Sequence, residues 1–310
     1  MPGDPEESVE LEAAFLETWS EVPLQGAGPS TIVEKRVLTC APGFGVVSVN
    51  VSDPEAPTTD TSIGGETCVD IATAAGWVYL VDGTTLSIRH PSTWFIQGEL
   101  SLPAGVSPTV ASFDASNDLI WIAGSLEGAG WLGAVDIRAP AELRLVVEAA
   151  FSLPVIGVTQ DSEGAYVMLD DGSLVFSDRD GVAVGAWPAG MVPSGRALGV
   201  TDHHLYVARA TAGLEVIDVN RPANPSAAAG IALPGADVGT VFASGARVYL
   251  GQLGGLVVLD STQAGSPQLV GEATLDSDAV PADLAIGSDL AALSDGSQDR
   301  LFIVNVNEMD

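Results

Sequence analysis

Positive charge is scarce in this sequence. Lysine occurs once, at Lys35, beside ten arginines and against 41 acidic residues, which leaves a formal charge of −30. Such a surface repels phosphate backbones and anionic lipid headgroups, so nucleic acid is not an expected partner. Cations, basic proteins and neutral glycans remain open, and the acids also keep the chain dispersed. Only three histidines occur, too few to make a nucleophile–base–orienter arrangement easy to build. The two cysteines, Cys40 and Cys68, are too few for a zinc site. They form either one disulfide, closing a loop of 29 residues and stabilising by about 3–4 kcal/mol in the chain-entropy picture, or two buried thiols. No apolar run approaches the length of a membrane helix, and membrane insertion is not expected. The opening residues MPGDPEESVE lack a basic segment followed by an apolar one. A secretory leader is therefore not expected in this chain: the protein is cytoplasmic, or a leader has been removed.

What is present is a repeat. Hydrophobic residues make up 46% of the chain, enough for a large core, and 35 glycines and 19 prolines punctuate it into short apolar runs. GLEVIDVNRPANP (213–225), GLVVLDSTQAGSP (255–267) and GVVSVNVSDPEAP (45–57) are copies of one unit. LGAVDIRAPAEL (132–143), RLFIVNVNE (300–308), TLSIRHPSTW (85–94) and SLVFSDRDG (173–181) are weaker ones. Anchored on Asn50, Arg89, Asp136, Ser177, Asp218, Asp260 and Asn305, the seven units recur every 42 residues or so. Each holds four runs rich in β-branched and aromatic residues and bounded by turn residues. Four strands per unit of that length is the arithmetic of a propeller blade, and no 3.6-residue periodicity competes with it. The fold predicted is all-β, a seven-bladed β-propeller of four-stranded antiparallel blades forming one domain over 1–310. The last unit lacks its fourth strand, while SVELEAAFLETW (8–19) matches the fourth-strand run ELRLVVEAAFSL (142–153). Residues 1–8 are expected as a flexible lead and 9–16 as the strand that closes the last blade.

The pattern G-L-x-V-I-D-V-x-x-P-x-x-P, sharpest at 205–225 and good at 45–57 and 247–267, resembles the LVIVD-repeat family of β-propellers. That resemblance implies a propeller on a secreted or cell-surface bacterial protein and implies no reaction. The signatures of the WD40 and kelch propellers are absent.

Candidate chemistry rests on the acids. Asp136, Asp218 and Asp260 recur once per repeat before a proline-rich turn, which reads as Asx-turn chemistry. Asp82, Glu127, Asp170, Asp171, Asp295 and Asp299 fall on the turns between second and third strands. Glu66, Asp237, Asp276 and Asp278 fall on the loops between blades, on the same rim. Asp70 and Asp283 each lie twelve residues before Asp82 and Asp295, at the start of innermost strands, from which they are expected to face the central channel. A ring of carboxylates attracts cations. Asp70, Asp283, Asp276 and Asp278 are the candidate calcium ligands, against the alternative of independent solvated acids. Asp70, Asp283, Asp82, Asp295 and Trp131 are the candidate ligand-binding residues, Trp131 and Phe44 because they stand at turns. Asp114, Ser116 and Asp118 in DASND lack the Gly and Glu of a calcium loop and read as a hairpin turn. His203 and His204 read as turn residues, and His90 as no more than that. No nucleophile elbow, phosphate loop or zinc-protease motif occurs, so no catalytic residue is assigned. A carboxylate pair such as Asp70 and Asp283 needs no motif.

The leading functional expectation is a non-enzymatic binding module, monomeric and extracellular, cell-surface or periplasmic, engaging a protein or glycan through the rim. The alternatives are a calcium-dependent or carboxylate-based enzyme acting in the central funnel, and a structural spacer. No cofactor is expected beyond calcium.

Overall fold

The computed structural model describes residues 14–41, 43–63, 67–113, 118–190, 197–231, 233, 237–263 and 265–307. Seven sheets follow one another around a ring. Blade 1 comprises Ser30–Val33, Arg36–Ala41, Gly45–Asn50 and Thr58–Ile63, and blade 2 Cys68–Ala74, Trp77–Asp82, Thr85–Arg89 and Ile96–Ser101. Blade 3 comprises Val106–Phe113, Leu119–Leu126, Ala129–Asp136 and Arg144–Phe151, and blade 4 Val155–Gln160, Gly164–Leu169, Leu174–Asp178 and Ala183–Trp187. Blade 5 comprises Leu198–Thr201, His204–Ala208, Leu214–Asp218 and Ser226–Ile231, and blade 6 Val238–Ser244, Arg247–Gln252, Gly255–Asp260 and Gln268–Thr274. Blade 7 takes three strands from the C-terminal region, Asp283–Ile286, Leu290–Asp295 and Arg300–Asn305, and its outermost from Thr18–Pro23. This is the predicted seven-bladed all-β propeller, closed by an N-terminal strand.

The closing strand is not residues 9–16. Thr18–Pro23 pairs antiparallel with Arg300–Asn305, from Thr18 opposite Val304 to Pro23 opposite Arg300. Residues 9–13 lie outside the described residues, and Ala14–Phe15 pair in parallel with Gly271 and Glu272 on the outer strand of blade 6. Leu16, 1% exposed, lies between the two pairings in the core shared by blades 6 and 7. The match to 142–153 found the right kind of strand but set it several residues early, because Leu16 is apolar for a different contact, the core between blades 6 and 7.

Middle strands are nearly continuous apolar runs, as in Trp77–Asp82 and Gly255–Asp260, because both of their faces are covered by neighbouring blades. The core therefore lies between the blades. One cluster joins Tyr166 and Phe176 of blade 4 to Tyr206 and Val216 of blade 5 and Val241 of blade 6.

The end of the third strand is built alike in all seven blades. One side chain there accepts a hydrogen bond from the amide two residues on: Asn50 from Ser52, Asp136 from Arg138, Asp178 from Asp180, Asp218 from Asn220, Asp260 from Thr262 and Asn305 from Asn307, at 2.8–3.0 Å. In blade 2 the acceptor is His90 Nδ1, 3.3 Å from the Ser92 amide. Register thus moves two of the seven anchors by one residue, from Arg89 to His90 and from Ser177 to Asp178. In blade 2 a ring nitrogen supplies the acceptor that Arg89 cannot, and in blade 4 the carboxylate of Asp178 serves in place of Ser177.

The outermost strands share a second feature. Each skips one residue against the third strand, at Trp19, Asp60, Gln97, Val146, Val184, Ala228 and Val270. A bulge at this register twists an edge strand away from further pairing. In blades 2, 4 and 7 the proline-containing loop of the following blade seats against this strand. The Ser20 hydroxyl donates to the Pro54 carbonyl at 2.8 Å. A Cβ on Gly98 would come within 1.7 Å of the Pro140 oxygen, and one on Gly185 within 1.9 Å of the Pro222 oxygen. The prolines of the repeat are therefore contacts between blades as well as turn residues.

Candidate functional site

Two places bear on function: the channel along the ring axis and the acidic rim around one of its mouths.

The innermost strands of all seven blades enclose a cavity of about 460 Å³. Its wall consists of small, apolar and hydroxyl-bearing side chains with one amide, Gln160, and carries no Asp, Glu, His, Lys or Arg among the described residues. Asp70 and Asp283 begin two of these strands as expected, but they do not face the channel. Both are buried, at 0% and 2% exposure. Asp70 accepts from its neighbour's amide, Ile71, at 2.7 Å through one oxygen and from the Ala111 amide of blade 3 at 2.6 Å through the other. Asp283 accepts from the Ser30 amide of blade 1 at 2.6 Å. Each carboxylate is a bond between consecutive blades, Asp70 across the seam of blades 2 and 3 and Asp283 across the seam where the ring closes. A buried carboxylate needs such donors, and a buried amide facing it needs that acceptor.

Other polar side chains cross three more seams. Thr73 and Thr31 hydroxyls meet at 2.9 Å between blades 2 and 1, and the Thr109 hydroxyl donates to the Val155 carbonyl at 2.9 Å between blades 3 and 4. The Thr201 hydroxyl reaches the Gly245 carbonyl at 2.9 Å between blades 5 and 6. Cys40 of blade 1 and Cys68 of blade 2 are joined in a disulfide, with Cα atoms 5.4 Å apart.

On the rim the acids do converge, and an arginine stands at their centre. Arg300, with its side chain 13% exposed, bonds Asp276 and, at 3.1 Å, Asp278. Asp295 lies 3.7 Å away and Glu21 3.8 Å away, and the Phe302 ring lies 5.2 Å under the guanidinium. Burial opposes the charge on Arg300, but the Asp278 bond and the charges of Asp278, Glu21 and Asp276 outweigh it and hold the group above its ordinary range. The two loop acids put forward for calcium thus already surround a cation that the chain itself supplies, and they lie apart from Asp70 and Asp283. Asp295 is buried and serves its own turn: one oxygen accepts from the Ser297 amide at 3.1 Å, the Ser297 hydroxyl at 2.6 Å and the Gln298 amide at 3.2 Å, and the other accepts from the Val280 amide at 3.2 Å. Asp82 accepts from the Thr67 hydroxyl at 2.6 Å. Among the described residues no group of three or more His, Cys, Asp or Glu is arranged to hold a metal.

Trp131 does not project from a turn. The turn is Glu127–Gly128, the strand restarts at Ala129, and Trp131 is 2% exposed. Its indole N–H donates to Glu148 at 3.1 Å, and its ring lies over Gly133, where a Cβ would come within 2.4 Å of it. Phe44 is exposed at its turn, as is Leu253 at the corresponding turn of blade 6, at 50% and 41%. Asp202 and His203 form the two-residue hairpin of blade 5, both with positive φ, and His204 Nδ1 lies 2.8 Å from the Asp202 carbonyl. Residues 114–117, most of DASND, lie outside the described residues; the strands on either side pair antiparallel.

A charged group the sequence reading passed over is Arg209, 5% exposed. It bonds Glu215 at 2.8 Å and the Gly172 carbonyl of blade 4 at 2.8 Å, while the Trp187 indole donates to Glu215 at 2.9 Å. Its only sequence signal is an arginine inside the strand-end run LYVARATAG, where no other repeat carries a basic residue.

No family model matches the chain, and no curated protein matches it. Solved structures do. The β-propeller domain of Myceliophteria thermophila Cps50 (Swd1) superposes with a TM-score of 0.66 at 12% identity, over 94% of this chain and 100% of that one. A chain of the mitotic checkpoint complex gives 0.70 at 10% identity, over 99% and 96%. The computationally designed Ika8 protein gives 0.64 at 9% identity, over 93% and 99%. Likeness at this identity establishes the fold.

Proposed function

We propose that the chain is a non-enzymatic binding module of a secreted or cell-surface protein, and that it engages a protein partner through the rim formed by the second-to-third-strand turns. The observation that carries this reading is the lining of the channel. General acid–base and nucleophilic chemistry need a positioned titratable group. The carboxylates that begin the innermost strands, Asp70 and Asp283, are committed to seam bonds instead. What the rim offers is contact surface: exposed Phe44 and Leu253 among acidic turns, in a chain of charge −30. That combination suits a partner with apolar and basic residues. One of the similar structures comes from a multi-protein complex. The extracytoplasmic location is supported by the Cys40–Cys68 bridge, since disulfides persist in oxidising compartments.

Photo-crosslinking tests the reading. A photoreactive residue at position 44 or 253 is expected to capture a protein at the cell surface, and one at Val182, on the opposite rim, is not. Equal capture from all three positions, or substrate turnover abolished by Thr159→Trp in the channel, would overturn it.

A further inference from the structure

The cavity on the ring axis, about 460 Å³, lies within the size range of small-molecule sites. Its polar groups are neutral and partly unspent. The half-buried Ser112 and Thr159 lie on the innermost strands of adjacent blades, and their hydroxyls have no hydrogen-bond partner among the described residues. Gln160 beside them is 5% exposed and fixed in orientation. Its amide nitrogen donates to the Ser112 carbonyl at 3.1 Å and the Leu119 carbonyl at 3.2 Å, which leaves its Oε1 as a buried acceptor without a partner among the described residues. Phe113 and Phe242 contribute apolar surface to the same wall.

We propose that the channel binds a neutral polyhydroxylated ligand of mono- to disaccharide size. Sugar hydroxyls donate and accept, and so can answer the free hydroxyls of Ser112 and Thr159, which Gln160 holds in place by its bond to the Ser112 carbonyl. The aromatic residues offer apolar surface to the C–H faces of such a ligand. An anionic sugar meets no base in the wall and is repelled by the charge of the chain. An aminosugar meets no carboxylate there, because Asp70 and Asp283 are bonded into the seams. The proposal deepens the binding-module reading and rests on its view of the channel as non-catalytic.

Isothermal titration and saturation-transfer NMR on the whole chain test it. The probes are glucose, N-acetylglucosamine, maltose and trehalose, with glucuronate and glucosamine as charged counterparts. At least one neutral sugar is expected to bind saturably below 10 mM, at least tenfold more tightly than the charged probes. Combined Ser112→Ala and Thr159→Val substitution, which keeps shape and removes both hydroxyls, is expected to weaken binding at least fivefold, and Ala72→Trp, which fills the channel, to abolish it while the protein still melts cooperatively. Absence of binding by every neutral sugar at 20 mM overturns the proposal and leaves the binding-module reading standing. Binding unchanged in Ala72→Trp places the sugar elsewhere and also overturns it. Binding followed by chemical conversion of the sugar in the NMR tube contradicts the non-catalytic reading but not the ligand class.

Discussion

At the scale of the residue, three of the third-strand caps, Asp136, Asp218 and Asp260, bind protons less readily than free carboxylates do. The Arg138 side chain holds Asp136 low, the Asn220 amide does so for Asp218, and the Thr262 hydroxyl and amide do so for Asp260. A carboxyl whose folded value is depressed contributes stability that is present above its unfolded value, about pH 4, and is lost as pH falls through the folded value. Stability is therefore expected to be flat from neutrality down to about pH 4 and to fall below it. Urea midpoints measured from pH 7 to pH 2.5 check this, and the triple Asp→Asn variant at 136, 218 and 260, which keeps an acceptor at each cap, is expected to show a shallower acid limb. An identical limb in the variant would assign the acid sensitivity to other groups. The caps at Asp136, Asp218 and Asp260 were legible in sequence because an acid before a proline-rich turn has few other uses. Those at His90 and Asp178 were not, because the chemistry that recurs is an acceptor at a register position, and register is set by pairing across the sheet.

Between elements, the bulged outer strands and the loops that rest on them couple blade 2 to 3, blade 4 to 5 and blade 7 to 1. Gly98 and Gly185 are required there by proximity, not by backbone angle: neither has positive φ, and each faces a carbonyl that a side chain would strike. Gly98→Val is expected to destabilise by about 2 kcal/mol or more, since backbone must shift to admit it. Gly230→Val, on the outer strand of blade 5 with open space beside it, is expected to be nearly neutral. Equilibrium unfolding of the two variants decides; equal losses would remove the loop contact as the cause. The closing strand belongs to this scale as well. Its existence followed from counting strands, one missing at the end and one spare at the start. Its position did not, because two short strands follow one another there: Ala14–Phe15 serves blade 6 and Thr18–Pro23 serves blade 7.

For the whole molecule, a ring of blades is as strong as its seams, and the chain has fastened three of them with a disulfide and two buried carboxylates. Blades 1 and 2 share a disulfide, blades 2 and 3 the Asp70 carboxylate, and blades 7 and 1 the Asp283 carboxylate. Reduction, or Cys40→Ser with Cys68→Ser, is expected to lower stability by about 3–4 kcal/mol, read as a shift in guanidinium midpoint; no shift would mean that the bridge is not formed in solution. The fold was legible at this scale from period and strand count. The site was not. Asp70, Asp283, Asp276, Asp278, Asp295 and Trp131 were put forward as calcium or ligand-binding residues, but sequence records only that an acid or an indole is present. It does not record that Ala111 and Ser30 present their amides to two of them, that Arg300 stands among three more, or that Glu148 accepts a hydrogen bond from the indole N–H.

The sign of one stability change tests this account most directly. Asp70 and Asp283 are replaced singly by alanine, and unfolding free energies are measured in denaturant. Residues held for a ligand are often strained, so their removal tends to stabilise. Residues that satisfy a buried amide across a seam destabilise when removed, by about 1.5–3 kcal/mol each for a bond to a charged group. The seam account predicts the loss at both positions. Unchanged or increased stability at both would contradict it and return the two carboxylates to the channel.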